Sequence, residues 1–344
     1  MKQLPKVDLK GIADYYQANS MDFRSATFLI TGGSGFVGSW LTEALLNLNQ
    51  EFELGLKVTC LVRDITKAQQ LFANHSSYNL RFIEADVARL TNLPNSYSHI
   101  IHAATPTTKI SRGGDLENIH SSSALGAKNI LSLIGNGPTR PVFLHTSSGA
   151  VYGTQPMGLA RLAISTPIRA TSFSDSVADR YAQSKIETEN YVNNADSQGK
   201  VVGINARLFA FMGPRLPLDQ HFAIGNFISS AISDNVVKIK GDGKSVRSYL
   251  YAAEMTCHLL FLLSARISGS FHIGSDIGFE LSKWAQMVAD VCGAEVRFLN
   301  EDRSSPTRYV PERDFRIPQL KHSQDRNLDN LGRWRDWIVQ SKLS

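Results

Sequence analysis

Cysteine is scarce in this chain. Cys60, Cys257 and Cys292 are the only three among 344 residues, and they lie far apart. An odd, scattered set excludes a disulfide framework and offers no metal-ligand spacing. The three read as buried small hydrophobes in a reducing compartment. Long apolar runs are also missing. The opening stretch, MKQLPKVDLKGIADYYQANS, has no apolar h-region and does not read as a signal peptide. HLLFLLSA, around Leu259 to Leu263, is too short to span a bilayer and reads as a buried helix. There is no basic block either. The chain has 36 Lys and Arg against 31 Asp and Glu, a formal charge of +5 with no long run of one sign. That argues against nucleic-acid binding and for a solvated surface on which some arginines hold a small anion. No internal repeat or low-complexity tract is present. With 42% hydrophobic and 19% charged residues, the composition excludes long disorder and fits a cytoplasmic globular protein without a membrane segment.

What is present is alternation. Residues 1–25 read as a short helical leader. ATFLITGG then reads as a buried strand ending in glycines. VGSWLTEALLNLNQ follows with helical spacing, Val37, Leu41, Ala44, Leu45 and Leu48 sharing one face. KVTCLV, LRFIEADV, SHIIHAAT, PVFLHTSS and VVGINARLF read as further strands, with helices at SALGAKNILSLI and after Tyr181. Short apolar strands alternating with helices predict an α/β fold: a Rossmann-type doubly wound parallel sheet covered on both faces. The expected division is a dinucleotide-binding domain at 26–211, with a return strand near 270–274. A smaller C-terminal α/β substrate-binding domain is expected over most of 212–344. In open parallel sheets, ligands bind beyond the carboxyl ends of the strands, and here those ends are polar.

The turn TGGSGFVG is rich in glycine, although glycine is costly to order. Gly32, Gly35 and Gly38 follow a strand and open a helix, the setting in which unpaired N–H groups hold a pyrophosphate. Side chains at Gly32 and Gly35 would block that approach, and Gly38 would let helix and strand pack closely. Phe36 and Val37 belong to the same cofactor turn. The second strand ends Val62-Arg63-Asp64. With Val62 at the acid position, Arg63 can clamp a 2′-phosphate and NADP(H) is favoured; with Asp64 there, NAD(H) is favoured. NADP(H) is the preferred reading. Asp86, followed by Val87, is a candidate adenine contact.

HTSSGAVYG ends the fifth strand and YAQSK opens the next helix. Tyr181 and Lys185 are four apart and so share a helix face. A phenol has an ordinary pKa near 10. An ammonium about 4 Å away contributes on the order of 4 kcal/mol at an effective dielectric of 20, roughly three pKa units, which would bring the phenol towards a working pH. Ser148 could bond the same substrate oxygen.

Together these features resemble the extended short-chain dehydrogenase/reductases, in particular the nucleotide-sugar epimerase/dehydratase group. TGGSGFVG, HAAT, SSGAVYG, YAQSK, RLFAFMGP, KGDGKSVRSYLY and HIGSD carry the resemblance from about Ala26 onward. It implies Ser148, Tyr181 and Lys185 as a catalytic triad. It places Ala103, Ala104 and Thr105 beneath the nicotinamide ribose, with Lys185 holding that ribose. Arg247 would bind the diphosphate of a nucleoside-diphosphate sugar, Arg308 would help, and Asn226 would lie near the substrate. No metal is implied, and a homodimer is.

Three departures narrow the chemistry. Dehydratases and decarboxylases of the group carry an acid shortly after the catalytic hydroxyl, whereas this chain has Gly149 and Ala150. The usual Asn of the YGP motif is Ala210, and another Asn is replaced by Ser123, with His120 one turn away. An epimerase or 4-keto reductase is therefore favoured. The alternatives are a 4,6-dehydratase or decarboxylase, a reductase of a non-nucleotide carbonyl, and a redox-inactive NADP-sensing binding protein.

Overall fold

The computed structural model describes residues 3–75, 78–93, 96–105, 119–134, 139–169, 176–219, 222–299, 305–318 and 324–342. In chain order the first elements are α1 (Lys6–Ala18), β1 (Thr27–Thr31), α2 (Phe36–Phe52), β2 (Lys57–Val62), α3 (Ile65–Leu71), β3 (Leu80–Glu84) and β4 (His99–His102). A π-helical turn at Ser121–Leu125 runs into α4 (Gly126–Leu133). Then come β5 (Val142–Ser148), α5 (Val177–Ser197), β6 (Val202–Leu208) and β7 (Phe211–Met212). The remainder is α6 (Ala223–Asp234), β8 (Val236–Ile239), β9 (Val246–Arg247), β10 (Leu250–Tyr251), α7 (Ala252–Ala265), β11 (Gly269–Ile273), β12 (Phe279–Glu280), α8 (Leu281–Cys292), β13 (Glu295–Phe298), β14 (Arg308–Tyr309) and α9 (Gln324–Lys342).

Seven parallel strands form one sheet in the order β11-β6-β5-β4-β1-β2-β3. Chain direction across the sheet reverses between β1 and β4, which opens a crevice at their carboxyl ends. The strands are apolar on both faces because helices cover both. Leu29, Ile100, Phe143 and Val201 pack beneath α4 and α5, and Phe28, Ile30, Val58 and Ile204 pack on the other side. No helix among the described residues is long and apolar enough to cross a membrane.

Two elements differ from the periodicity. α2 is buried almost all round, from Trp40 through Leu46, and not on one face alone. The cause is α1 and α7, which pack on its outer side. α7 itself lies in the range expected for the substrate side, yet its leucines join the core of the sheet. A second cluster gathers α6, α8 and α9 around Trp284 and Trp334, with β8 and β13 paired beside them. α8 stops at Gly293, whose φ of 68° is the left-handed cap that glycine adopts without strain.

Charged groups tie α1 to the rest. The Asp8 carboxylate accepts hydrogen bonds from the Tyr251 hydroxyl at 2.8 Å and the Arg333 guanidinium at 2.6 Å. Burial raises the pKa of Asp8 despite the arginine. Glu43 of α2, fully buried, accepts from Leu4 N–H at 2.8 Å and pairs with Arg215.

Four imidazoles are buried in or near the sheet. His99, His102 and His272 are held down to about 4, and His145 well below its ordinary value, chiefly by desolvation. The unfolded chain binds these protons near pH 6.5, and the folded protein does not until far lower pH. Stability should therefore fall as pH drops from about 6.5 towards 4. Glu254, pushed up to about 7, and Asp8, also raised, oppose this as two groups against four. Thermal midpoints measured at pH 7, 6 and 5 should decline in that order, and a flat series would contradict the assignment of neutral buried histidines.

Candidate active site

The glycine turn lies at the crevice. Gly32 has φ +69°, and a Cβ there would stand 2.7 Å from the Ala103 carbonyl oxygen. A Cβ on Gly38 would meet the Gly32 oxygen at 2.3 Å, and one on Gly33 would meet Cys60 Sγ at 2.6 Å. These three glycines are needed for packing of β1, β2, β4 and α2. At Gly32 the Ala103 backbone alone already excludes a side chain. Gly35 is the more open position, its closest contact being the Gly32 oxygen at 3.2 Å. It caps α2 with no side-chain hydrogen bond, and among the described residues no side chain caps the first-turn N–H groups. The turn therefore fits an anionic group such as a pyrophosphate.

The end of β2 is mixed. Val62 is buried, and Arg63 and Asp64 are exposed. Asp64 Oδ1 accepts the Lys67 N–H at 2.8 Å as the cap of α3, so its carboxylate has local work. Asp86 in the same way caps Ala88 N–H at 3.0 Å, and Val87 is buried against Gly126.

Ser148, Tyr181 and Lys185 come together. The Tyr181 phenol lies beside the Ser148 side chain, which draws its pKa down, and Ser148 Oγ accepts the Ala150 N–H at 3.1 Å. Lys185 Nζ donates to Thr105 Oγ1 at 2.8 Å and to the Thr146 carbonyl at 2.6 Å, and it lies 5.6 Å from the centre of the Tyr181 ring. Burial pushes Lys185 down to about 7. The electrostatic expectation for Tyr181 is not met, since burial raises the phenol. The Lys185 ammonium is held by Thr105 and the strand end, and desolvation of the phenol outweighs the lowering effect of Ser148.

Among the residues chosen for the substrate, Arg247 and Arg308 do not converge. Arg308 stands in register with Val246, and Tyr309 with Arg247. Alternation then puts Arg247 on the face of Tyr309 and Arg308 on the other. Arg308 Nε donates to the Met157 carbonyl at 3.2 Å. Arg247 is held by the Thr307 carbonyl and hydroxyl at 3.0 and 2.7 Å. Asn226, half-buried in the first turn of α6, donates its backbone N–H to the Phe222 carbonyl. His120 pairs with Glu187 at 2.8 Å on a half-exposed surface, away from Ser148. Ser123 instead supports the site from below: its carbonyl bonds His102 Nε2 at 2.9 Å and its hydroxyl meets Thr188 at 3.3 Å.

Tyr309 is the residue that sequence reasoning missed. Its phenol lies beside Ser148 and donates to the Leu208 carbonyl at 3.5 Å, burial raises its pKa, and its ring packs on Phe209 with centroids 4.8 Å apart. Two tyrosines thus meet one serine. A Cβ at Gly149 would stand 2.6 Å from the Tyr309 hydroxyl and 2.7 Å from Phe209. Position 149 therefore has no room for any side chain while Tyr309 stays in place. Gly149→Ala should destabilise the protein by about 1–3 kcal/mol through overpacking, and Tyr309→Phe should recover part of that loss. Denaturant melts of both single variants and the double variant check this; strict additivity would rule out the contact.

Residues 28–274 match the family model described as NAD dependent epimerase/dehydratase family. The chain is 26% identical over 290 residues to UDP-glucuronic acid decarboxylase 2 of Arabidopsis thaliana, covering 83% of this chain and 61% of that protein. It is 24% identical over 293 residues to UDP-glucuronic acid decarboxylase 1 of Xenopus tropicalis, covering 83% of this chain and 65% of that one. The chain thus spans less than two thirds of the length of these curated relatives. Among solved structures, UDP-N-acetylglucosamine 4-epimerase from Methanobrevibacter ruminantium M1, in complex with UDP-N-acetylmuramic acid, superposes with a TM-score of 0.76 at 20% identity, over 92% of this chain and 99% of that one. UDP-glucuronic acid 4-epimerase from Bacillus cereus, in complex with UDP-glucuronic acid and NAD, gives 0.70 at 20% identity, over 91% and 99%. At these identities the structural likeness concerns the fold.

Proposed function

Since the chain belongs to the NAD dependent epimerase/dehydratase family, we propose that it is an NAD(P)-dependent enzyme that acts on a nucleoside-diphosphate sugar through a transient 4-keto sugar, with epimerisation or 4-keto reduction as the outcome. A bound nicotinamide would supply the hydride acceptor and donor. The turn Gly32–Gly38 would hold its pyrophosphate, Asp86 and Val87 would lie near the adenine, and Ala103, Ala104, Thr105 and Lys185 would line the nicotinamide ribose.

Tyr181 moves the proton at the sugar hydroxyl that becomes the carbonyl. Lys185, on the same helix face, supplies the positive charge that favours the phenolate during transfer. Ser148 bonds the same oxygen and fixes its direction. Arg247, on the face of Tyr309, is the cation for the diphosphate, while Arg308 acts on the loop at Met157. The second core, around Trp284 and Trp334, carries the substrate side.

One observation carries the choice of reaction: Gly149 has neither a side chain nor space for one, because Tyr309 and Phe209 occupy it. The acid that a dehydratase places directly after the catalytic hydroxyl has no counterpart there, and Ala150, where a decarboxylase would carry its acid, cannot transfer a proton. A second reading, decarboxylation, is favoured by the matched curated relatives, which are UDP-glucuronic acid decarboxylases. Incubation with UDP-glucuronic acid and NAD+ separates the two by NMR: a 4-epimer supports the first, and carbon dioxide with a pentose product supports the second. If UDP-glucose, UDP-N-acetylglucosamine and UDP-glucuronic acid all stay unchanged with NAD(H) and NADP(H), both readings fall. Tyr181→Phe should lower kcat by at least about a hundredfold with cofactor affinity retained. For the cofactor, we propose NADP(H) with Arg63 at the 2′-phosphate. Arg63→Ala should weaken NADP+ about tenfold relative to NAD+ in fluorescence titrations, a loss of one charge-assisted contact. Equal effects on both would assign Arg63 to the surface.

A further inference from the structure

The helix that carries Tyr181 and Lys185 has a third inward residue one turn on. Glu189 is 2% exposed and lies on the same stripe of α5. The three residues 181, 185 and 189 engage three consecutive residues at the end of β5. Tyr181 lies beside the Ser148 side chain, Lys185 Nζ donates to the Thr146 carbonyl at 2.6 Å, and the Ser147 hydroxyl donates to Glu189 Oε1 at 2.5 Å.

Glu189 is itself fixed from the next strand. Arg207 stands in register with Ser147 across β5 and β6. Its Nε and Nη2 donate to the two carboxylate oxygens at 2.9 and 2.7 Å, a bidentate grip. Its Nη1 donates to the Tyr152 hydroxyl at 2.7 Å, and that hydroxyl is 2.6 Å from His272 Nε2. A buried pair held this rigidly has a fixed orientation, with its negative end towards the strand terminus.

We propose that Glu189 is a positioning residue, aligned by Arg207, that holds Lys185 as a cation against the end of β5. This rests on the reading of Lys185 as part of the reacting centre. Four titratable groups face Lys185: Tyr181 and Glu189 on its own helix, His102 on β4 and His145 on β5. Both imidazoles are neutral, so Glu189 is the anion among them. Its charge favours the ammonium while burial opposes it. The same carboxylate keeps Ser147 in place, and through it the adjacent Ser148.

The test reads Lys185 directly. Lysine 13Cε NMR, with Lys185 assigned by loss of its signal in Lys185→Arg, gives its titration midpoint without substrate. In Glu189→Gln the midpoint should move acidward by about one pH unit, because the anion is gone and Arg207 remains. If the stranded arginine unfolds that variant, Glu189→Met/Arg207→Met, which removes both charges, should remain folded and still shift the midpoint acidward. The pH profile of kcat should move with it. A midpoint unchanged in a folded variant overturns the proposal, and unfolding of both variants overturns it by assigning the pair to stability alone. If the midpoint shifts but wild-type protein turns over no nucleotide sugar, the proposed function fails and the positioning role stands.

Discussion

The close approach of α2 to the ends of β1 and β4 is the constraint on which the rest depends. Gly38 touches the Gly32 carbonyl, and Gly32 touches the Ala103 carbonyl; neither contact leaves room for a methyl group. With helix and strands fixed at that distance, the uncapped first turn of α2 opens into the crevice where the strand order reverses. The same contact sets the end of β4, and so places Thr105, whose hydroxyl accepts from Lys185 at 2.8 Å. The first turn of α2 and the partners of Lys185 are thus positioned by one piece of backbone packing.

Around this lies a buried polar layer on the α4 and α5 side of the sheet. His102 is held between the Thr31 hydroxyl at 2.9 Å and the Ser123 carbonyl at 2.9 Å. Farther along, Ser147, Glu189, Arg207, Tyr152 and His272 form a continuous chain of hydrogen bonds. Buried polar groups of this kind specify one arrangement when their partners are satisfied. Here they fix the end of β5 from the helix side and from the neighbouring strand.

Much of this was legible in the sequence, for reasons that can be named. Strands β1 to β6 are short apolar runs ending in polar residues, and the turn between β1 and α2 announces itself by its glycines. Tyr181 and Lys185 are neighbours by helical spacing, so their shared face needs no tertiary information. Tyr309 was not legible, because only folding brings β14 to Ser148. The sole trace in the sequence is Gly149, a small residue beside Ser148, which reads as a missing acid until the phenol is seen in its space. Arg247 and Arg308 looked alike in sequence, and strand register separates them. The all-round burial of α2 escaped the periodicity because α1 and α7 cover a face that the sheet does not reach.

The path of the chain after β6 has a consequence for biogenesis. The chain leaves the sheet at Leu208 and returns at Gly269, directly beside the strand it left. Throughout synthesis of that interval, β6 is an open edge with one row of backbone N–H and C=O groups unpaired. Its apolar residues, Ile204 and Ala206, lack the cover that α7 and β11 later give. An exposed, apolar edge is a template for pairing with other chains. A ribosome stalled between these two strands would therefore present that open edge, and completion of residues 269–273 closes it.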